Sequence, residues 1–483
     1  MMTPDRLRCV LPNRRISGSI LAILTCTSTG LSNTPAAGDD GDRREVRLTE
    51  EIRDLVERPA DRELDPRIDA ARITTLPSGE APETVLLPKA PMHRIAGDRN
   101  QTDLATETWQ TAMESLQRGL EWMVANQSSR GAWMEGERVE ATDQPPREAA
   151  AAIAVTAMGL KAFAQAGSTS PAHQAARDQA LMFVRSELEN RGFEGIDSTG
   201  LGNYVTSAVT MGLAALGSDS DPGNVMLLSR AVDHLTGGQW DQAEGVGPDR
   251  DWFGGAGYGR HGRPDLSNTQ MMLDALYDAG VSPDEPAVQR ALVFLGRSQN
   301  LKATNPAAWA QAGSNDGGFI YTPANGGESF GSQTAGEGRY GETMPAGVAR
   351  SLRSYGSMTY AGFKSLLFAG LDADDPRVAA ALDWIRGHWT FEENPGLGQQ
   401  GLYYYLHAMA RALRASGIDV ITTPDGVAHD WRTEMISVLA AKQEAGGSWR
   451  NDVDRWEESK RPLATAYAVL AIEEALKPTR EIE

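Results

Sequence analysis

From Trp109 onward the chain alternates between two apolar patterns. In the first, apolar residues recur three and four apart with polar residues between them, as at Leu292, Phe294 and Leu295. In the second the run is apolar nearly all round, as from Ala149 to Leu160 and from Val205 to Leu216. An apolar stripe marks a helix with one solvated face, and an apolar surface on every side marks a helix packed between neighbours. The alternation predicts helix, turn, helix, with an outer amphipathic helix and an inner buried one in each unit.

The turns between the two kinds of segment repeat. Leu120, Trp122 and Met123 lead to Gln127 and then to Gly131-Ala132-Trp133, and Val438-Leu439 leads to Gln443 and Gly447-Ser448-Trp449 with the same spacing. Phe294-Leu295 leads to Gln299, with Gly317-Gly318-Phe319 following after an insertion. Weaker copies end at Gly192-Phe193, Gln239-Trp240 and Trp389. A threonine, an aliphatic residue seven positions on and a glycine four beyond that recur as Thr206-Leu213-Gly217, Thr269-Leu276-Gly280 and Thr359-Leu366-Gly370, and Thr465-Ile472 keeps the first part. The glycine suits a left-handed helix C-cap. Six copies fit between residues 110 and 477.

The Gln-x3-Gly-x-Trp spacing resembles the QW, or prenyltransferase and squalene oxidase, repeat of squalene-hopene cyclases and the wider terpenoid cyclase and protein prenyltransferase superfamily. The resemblance implies an all-α fold: a single (α/α)6 toroid, or barrel, of six helical hairpins. It also implies that Gln127, Trp133, Gln443 and Trp449 tie neighbouring repeats together, since an amide can satisfy orphan groups at a helix end while an indole covers the turn. In such a toroid the inner helices surround a cavity, and the glycine-aromatic turns and their insertions decorate one rim.

Composition divides the chain. Residues 1–37 read as an export signal or lipoprotein leader: Arg6, Arg8, Arg14 and Arg15 precede an apolar run from Ile16 to Leu24. Ile23-Leu24-Thr25-Cys26 is similar to a lipoprotein cleavage box, which makes Cys26 the candidate lipid anchor and implies an exported protein, periplasmic, membrane-anchored or secreted. Residues 38–107 hold 28 charged residues in 70 and no aromatic residue. That balance predicts a flexible stalk, because it buries too little apolar area to offset chain entropy. Residues 108–483 are the predicted toroid. The net charge of −19 argues against a nucleic-acid partner. Cys9 and Cys26 are the two cysteines, both in the leader, so a thiolate zinc site of the protein prenyltransferase kind is not expected, nor is any other metal or cofactor.

Candidate chemistry falls on the rim. The insertion from Trp240 to Pro264 carries Trp252, Tyr258 and Arg260, and that from Asn300 to Tyr355 carries Asp316 and Arg353. The inner-helix entries that follow supply Asp265, Asn268, Tyr360, Tyr404 and His407. Aromatic faces around an apolar cavity could hold an isoprenoid or stabilise a carbocation. Trp252, Tyr258, Arg260, Asn268, Asp316, Arg353 and Tyr404 are therefore the expected ligand-binding residues, with Asp265, His407 and Tyr360 the catalytic candidates. Asp265 precedes an apolar run and equally suits a helix N-cap, and His407 equally suits a hydrogen-bonded core histidine. Asp372-Ala373-Asp374-Asp375 matches the letters of the cyclases' DxDD acid motif but sits before Pro376, where a capping turn is expected. Two functions remain open: a rim that binds an apolar isoprenoid-like ligand, a glycan or a protein without chemistry, and a squalene-hopene-cyclase-like isomerase, transferase or lyase using rim carboxylates.

Overall fold

The computed structural model describes residues 103–134, 146–217, 221–331 and 352–477. The expected leader with Cys26, nearly all of the expected stalk, and much of the second rim insertion lie outside the described residues. Twelve long helices among the described residues form six pairs. The outer members are α1 (Thr106–Ala125), α3 (Pro171–Ile196), α5 (Pro222–Gly237), α7 (Pro286–Ser298), α10 (Pro376–Gly387) and α12 (Trp431–Lys442). The inner members are α2 (Pro146–Ala166), α4 (Gly202–Ala214), α6 (Leu266–Asp278), α9 (Gly356–Phe368), α11 (Leu402–Ser416) and α13 (Arg461–Leu476). A short helix, α8 (Ala308–Ala312), lies in the second insertion, and a small antiparallel hairpin, β1 (Val420–Thr422) with β2 (Ala428–Asp430), joins α11 to α12.

The inner helices pack in the order α2, α4, α6, α9, α11, α13, and α13 packs against α2, so the ring closes; α12 likewise packs against α1 outside it. This is the (α/α)6 toroid that the repeat resemblance implied, built from the helix pairs that the alternating pattern predicted. Helix α2 is apolar enough over Arg147–Ala166 to cross a membrane, yet 78% of its most apolar stretch is covered inside the ring. Several outer helices begin with proline, Pro171, Pro222, Pro286 and Pro376, at the first turn, where the missing N–H has no intrahelical partner to lose. Asp375 caps α10 through the N–H of Arg377 at 2.9 Å, so the acidic tetrad is the expected capping turn.

One amide repeats around the ring. Gln127 donates to the carbonyls of Gly131 in its own turn and Ala176 in α3, both at 2.9 Å. Gln239 does the same to Gly254 and Ala287 of α7, and Gln299 to Gly317 and Arg377 of α10. Gln443 donates to Gly447 and, at 2.9 Å, to Ser115 of α1, which joins the last repeat to the first. Between repeats five and six the indole of Trp389 replaces the amide, donating to Glu434 of α12 at 3.3 Å. The turn glycines are dictated by the approach of the next outer helix. A Cβ on Gly254 would stand 1.8 Å from the carbonyl oxygen of Arg290, and one on Gly447 2.4 Å from that of Arg118, and both residues have positive φ. The recurrent threonine accepts from the turn: Thr156 from the N–H of Trp133, Thr269 from Ala256, Thr359 from Phe319 and Thr465 from Trp449, at 3.0–3.1 Å. The indoles of Trp133 and Trp449 donate to the carbonyls of Met123 and Leu439, in the last turns of α1 and α12.

The ring's interior departs from the apolar lumen expected of inner helices. Its axis is ionic, and five of the six inner helices contribute charged side chains. Lys161 of α2 pairs with Asp278 of α6 at 2.7 Å and lies 3.8 Å from the sulfur of Met211 on α4. Lys364 of α9 pairs with Asp274 of α6 at 2.7 Å. Arg411 of α11 reaches Asp274, Asp278 and Glu474 of α13 at 3.3, 2.6 and 3.4 Å. Lys477, just past α13, joins Glu474 to Gln165 of α2 at 3.1 and 2.7 Å, across the seam where the ring closes. Buried charges persist only when paired in this way.

Gln299 tests the repeating tie, because its side chain is buried and both carbonyls it serves belong to different repeats. Gln299→Ala removes the side-chain donor that links them, and the expected cost is about 1–3 kcal/mol in chemical denaturation. Substitution of Gln289, which bonds only to exposed backbone at Pro283, should change stability by less than about 0.5 kcal/mol.

Candidate functional site

All six inner helices start at the same end, and the turns and insertions gather there into a mouth. Tyr204 in the first turn of α4 and Tyr404 in the first turn of α11 come from opposite walls and meet at Ser267 of α6, with hydroxyl separations of 2.5 and 3.1 Å. Gln270, one turn deeper on α6, donates to Tyr404 at 3.1 Å, and its carbonyl oxygen accepts from Lys364 at 2.8 Å. The tyrosine bridge is therefore hydrogen-bonded to the ionic axis below it. Glu458 sets the angle of Tyr404: its carboxylate accepts from the backbone N–H groups of Tyr403 and Tyr404 and from Asn451, so it serves as the cap that α11 lacks in sequence.

Aromatic rings continue outward from the bridge. Tyr204 packs against Tyr258 at 5.6 Å, the hydroxyls of Tyr258 and Tyr321 meet at 3.2 Å, and Tyr321 packs on Phe330 at 4.4 Å. Phe330 faces Trp456 at 6.2 Å, and the Arg455 guanidinium lies over both, 5.2 Å from the Phe330 ring and 4.4 Å from the Trp456 ring. On the other side Tyr404 meets Tyr467 at 5.9 Å. Trp456 is 44% exposed, and both it and Glu457 hold positive φ, 60° and 66°. Two adjacent side-chain-bearing residues in that region store backbone strain to keep an indole in solvent.

Beneath the tyrosines is a cavity of about 20 Å³, room for a single water-sized guest, with Lys161, Gln270, Asp274, Lys364, Tyr404 and His407 in its wall. Burial and the nearby charges of Lys364, Lys161 and Arg411 hold the His407 imidazole well below its ordinary pKa, which favours the neutral ring. Burial above all, then the Arg411 charge, lowers Lys161; burial lowers Lys364 against the pull of Asp274.

The expected site residues divide between mouth, wall and turn. Tyr404 forms the bridge and Tyr258 the aromatic row. Trp252 stands beside that row, edge-on to Trp240 at 5.0 Å with its N–H on Asn325 at 3.2 Å. Arg260 is exposed beside the end of α5. Asp265 caps α6, accepting from the backbone and side-chain nitrogens of Asn268 at 2.8 Å each. Asn268 in turn accepts from Asn203 of α4, so both brace helix starts. Burial pushes Asp265 up to about 6, against the Asn268 hydrogen bonds that lower it. Asp316 holds its own turn through Gly318 and Ser354, at 3.0 and 2.7 Å. Arg353 follows the second insertion, its carbonyl taking the hydroxyl of Ser329 at 2.5 Å. Tyr360 lies buried between α9 and α11, edge-on to Tyr405 at 5.6 Å. His407 faces the cavity. Asp265, Asp316 and His407 thus serve three separate places, and no hydrogen bond or ion pair among the described residues joins them.

Tyr204, Tyr321, Phe330, Arg455, Trp456 and Glu458 at the mouth, and Lys161, Asp274, Lys364, Arg411 and Glu474 on the axis, were not singled out by the sequence patterns. Of the axial residues Lys161 and Lys364 carry a usable signal, since each is a lone charge in the body of an otherwise apolar helix.

No family model matches the chain, and no curated protein does. The ring is similar to solved structures of the type II terpene cyclase MstE from Scytonema, at 14% identity with its complex with geranylgeranyl dihydroxybenzoate, over 78% of this chain and 100% of that one, with a TM-score of 0.44. It is also similar to the GH76A α-1,6-mannanase from Salegentibacter, at 9% identity over 76% of this chain and 100% of that one, with a TM-score of 0.47. At identities and TM-scores this low the likenesses bear on neither substrate nor chemistry.

Glu473, on α13 beside the axis, is fully buried, and neither carboxylate oxygen has a hydrogen-bond partner. Burial raises its pKa well above the ordinary 4.5, with Lys477 pulling it down and Glu474 pushing it up. The folded chain therefore holds a proton that the unfolded chain releases, and this group's contribution to stability is lost as pH rises above about 4.5 toward the raised value. Glu473→Gln should be more stable than the parent at pH 8 and show a flatter stability profile between pH 5 and 8 in urea denaturation.

Proposed function

We propose that this protein is an exported binding toroid whose mouth takes a saccharide, without chemistry of its own. The observation that carries the reading is the solvent-held indole of Trp456 at the end of a row of tyrosines, above an axis that side chains close. A pyranose ring offers an apolar C–H face and hydroxyl edges. The mouth offers matching partners: the flat faces of Trp456 and Phe330, and the hydroxyls of Tyr258, Tyr321 and Tyr204.

A polyisoprenoid folded within the ring is disfavoured on the same grounds. Cyclisation of such a chain needs a long apolar lumen, and here the lumen is spanned by Tyr204, Ser267 and Tyr404 over a cavity of about 20 Å³. It also needs a strong acid aimed at the substrate, whereas the oxygens of Asp265 are committed to Asn268. Kinship with the QW-repeat toroids is supported by the glutamine bonds between repeats and stays a matter of architecture. Export is supported by the basic and apolar order of the leader.

Titration of the full chain with neutral oligosaccharides, α-1,6-linked mannose oligomers among them, and in parallel with geranylgeraniol, tests the proposal by tryptophan fluorescence and calorimetry. A saturable response to a saccharide is expected, weakened about tenfold or more by Trp456→Ala with stability unchanged. Binding of geranylgeraniol alone would overturn the reading.

A further inference from the structure

The axial charges do not balance. Lys161, Lys364, Arg411 and Lys477 meet on the axis with Asp274, Asp278 and Glu474, four cations against three anions. The environments of His407 and Glu473 favour the neutral forms, so neither removes the excess. An uncompensated charge in a closed, weakly polarisable interior is costly, and the surroundings of such a group ordinarily supply the counter-charge.

The place for that counter-charge is visible. Lys161 and Lys364 line the axial cavity from opposite walls of the ring. Each ammonium has two bonded directions, Lys161 toward Asp278 and Met211, and Lys364 toward Asp274 and Gln270. The third N–H of each has no protein acceptor among the described residues. Asp274 also lines the cavity; Lys364 and Arg411 both reach its Oδ2, while its Oδ1 has no hydrogen-bond partner among the described residues. We propose that this cavity binds one small monovalent anion, a halide such as chloride, between the ammonium groups of Lys161 and Lys364, with the imidazole of His407 in the same wall.

Size sets the chemical class. The cavity has room for at least one water-sized guest, a size that a monatomic halide matches. The bound ion acts as a structural counter-charge that draws α2 and α9 together.

Two measurements on the full chain test this. The first is thermal unfolding in sodium chloride against sodium gluconate at equal ionic strength. The expected result is a rise in Tm specific to chloride, continuing at about 2 °C for each tenfold increase above its Kd. The second is anomalous diffraction from crystals soaked in sodium bromide, with a bromine peak expected on the axis between Lys161 and Lys364. Gln270→Glu places a carboxylate where the Gln270 carbonyl oxygen already accepts from Lys364, supplying the missing negative charge covalently. That variant should lose the chloride dependence and the bromide peak. Equal Tm in the two salts together with an empty axis in bromide would overturn the proposal, leaving a deprotonated lysine as the way the excess is relieved. A Gln270→Glu protein that keeps the full chloride response would overturn it as well.

Discussion

A guanidinium at the centre of the ring organises this structure. Arg411 is buried, and it bridges Asp274 and Asp278 on α6 and Glu474 on α13 while its charge also lies over the ring of Phe368 at 5.5 Å. Its planar, permanently charged fork can satisfy several carboxylates at once, which a lysine at the same place could not do. Around it the pairs of Lys161, Lys364 and Lys477 extend the same network to five of the six inner helices. Because each of these charges would be expensive to bury alone, the network has one low-energy arrangement, the one in which these inner helices converge. Hydrophobic packing between the walls supplies stability, and the charges fix which residues face the axis.

The outer ring depends on a different and more local device. A glutamine at the end of an outer helix serves two carbonyls, one in its own turn and one in the next outer helix, and a glycine makes room for that helix to approach. Repeating the device sets the rotation from one pair to the next. The bond from Gln443 to Ser115 shows that this rotation closes after six steps. Where the glutamine is missing the geometry changes with it: α3 runs on through a kink at Gly192, and Trp389 reaches Glu434 in place of an amide.

This division explains what could be read from sequence. The toroid was legible because its devices are local and periodic: Gln127, Gln443, the turn glycines and Thr269, Thr359 and Thr465 recur at fixed spacings and do the same jobs, whereas the Thr206 hydroxyl has no hydrogen-bond partner among the described residues. The caps at Asp265 and Asp375 were legible for the same reason, since a carboxylate before an apolar run needs only its own helix. The interior was not. Lys161, Asp274, Lys364, Arg411 and Glu474 recur at no fixed spacing, and nothing in linear order says that residues up to 313 positions apart, as 161 and 474 are, meet on one axis. Averaging their segments as apolar led to the expectation of an apolar lumen. The mouth was half legible: Tyr258 and Tyr404 lie in segments that attract notice, whereas Trp456 owes its display to a strained turn that composition does not reveal.

The same network accounts for the placement of the mouth. With the axis occupied, the concave surface left to a ligand is the rim, where strain at Trp456 and the capping of α11 by Glu458 hold aromatic faces and hydroxyls in position. The most direct test of the axial network is the stability of Arg411→Met, a substitution close in volume that leaves Asp274, Asp278 and Glu474 short of a partner. In urea denaturation followed by circular dichroism, the account predicts a loss of about 3–5 kcal/mol. A loss of less than about 1 kcal/mol would show that apolar packing closes the ring without the charges, and would contradict it.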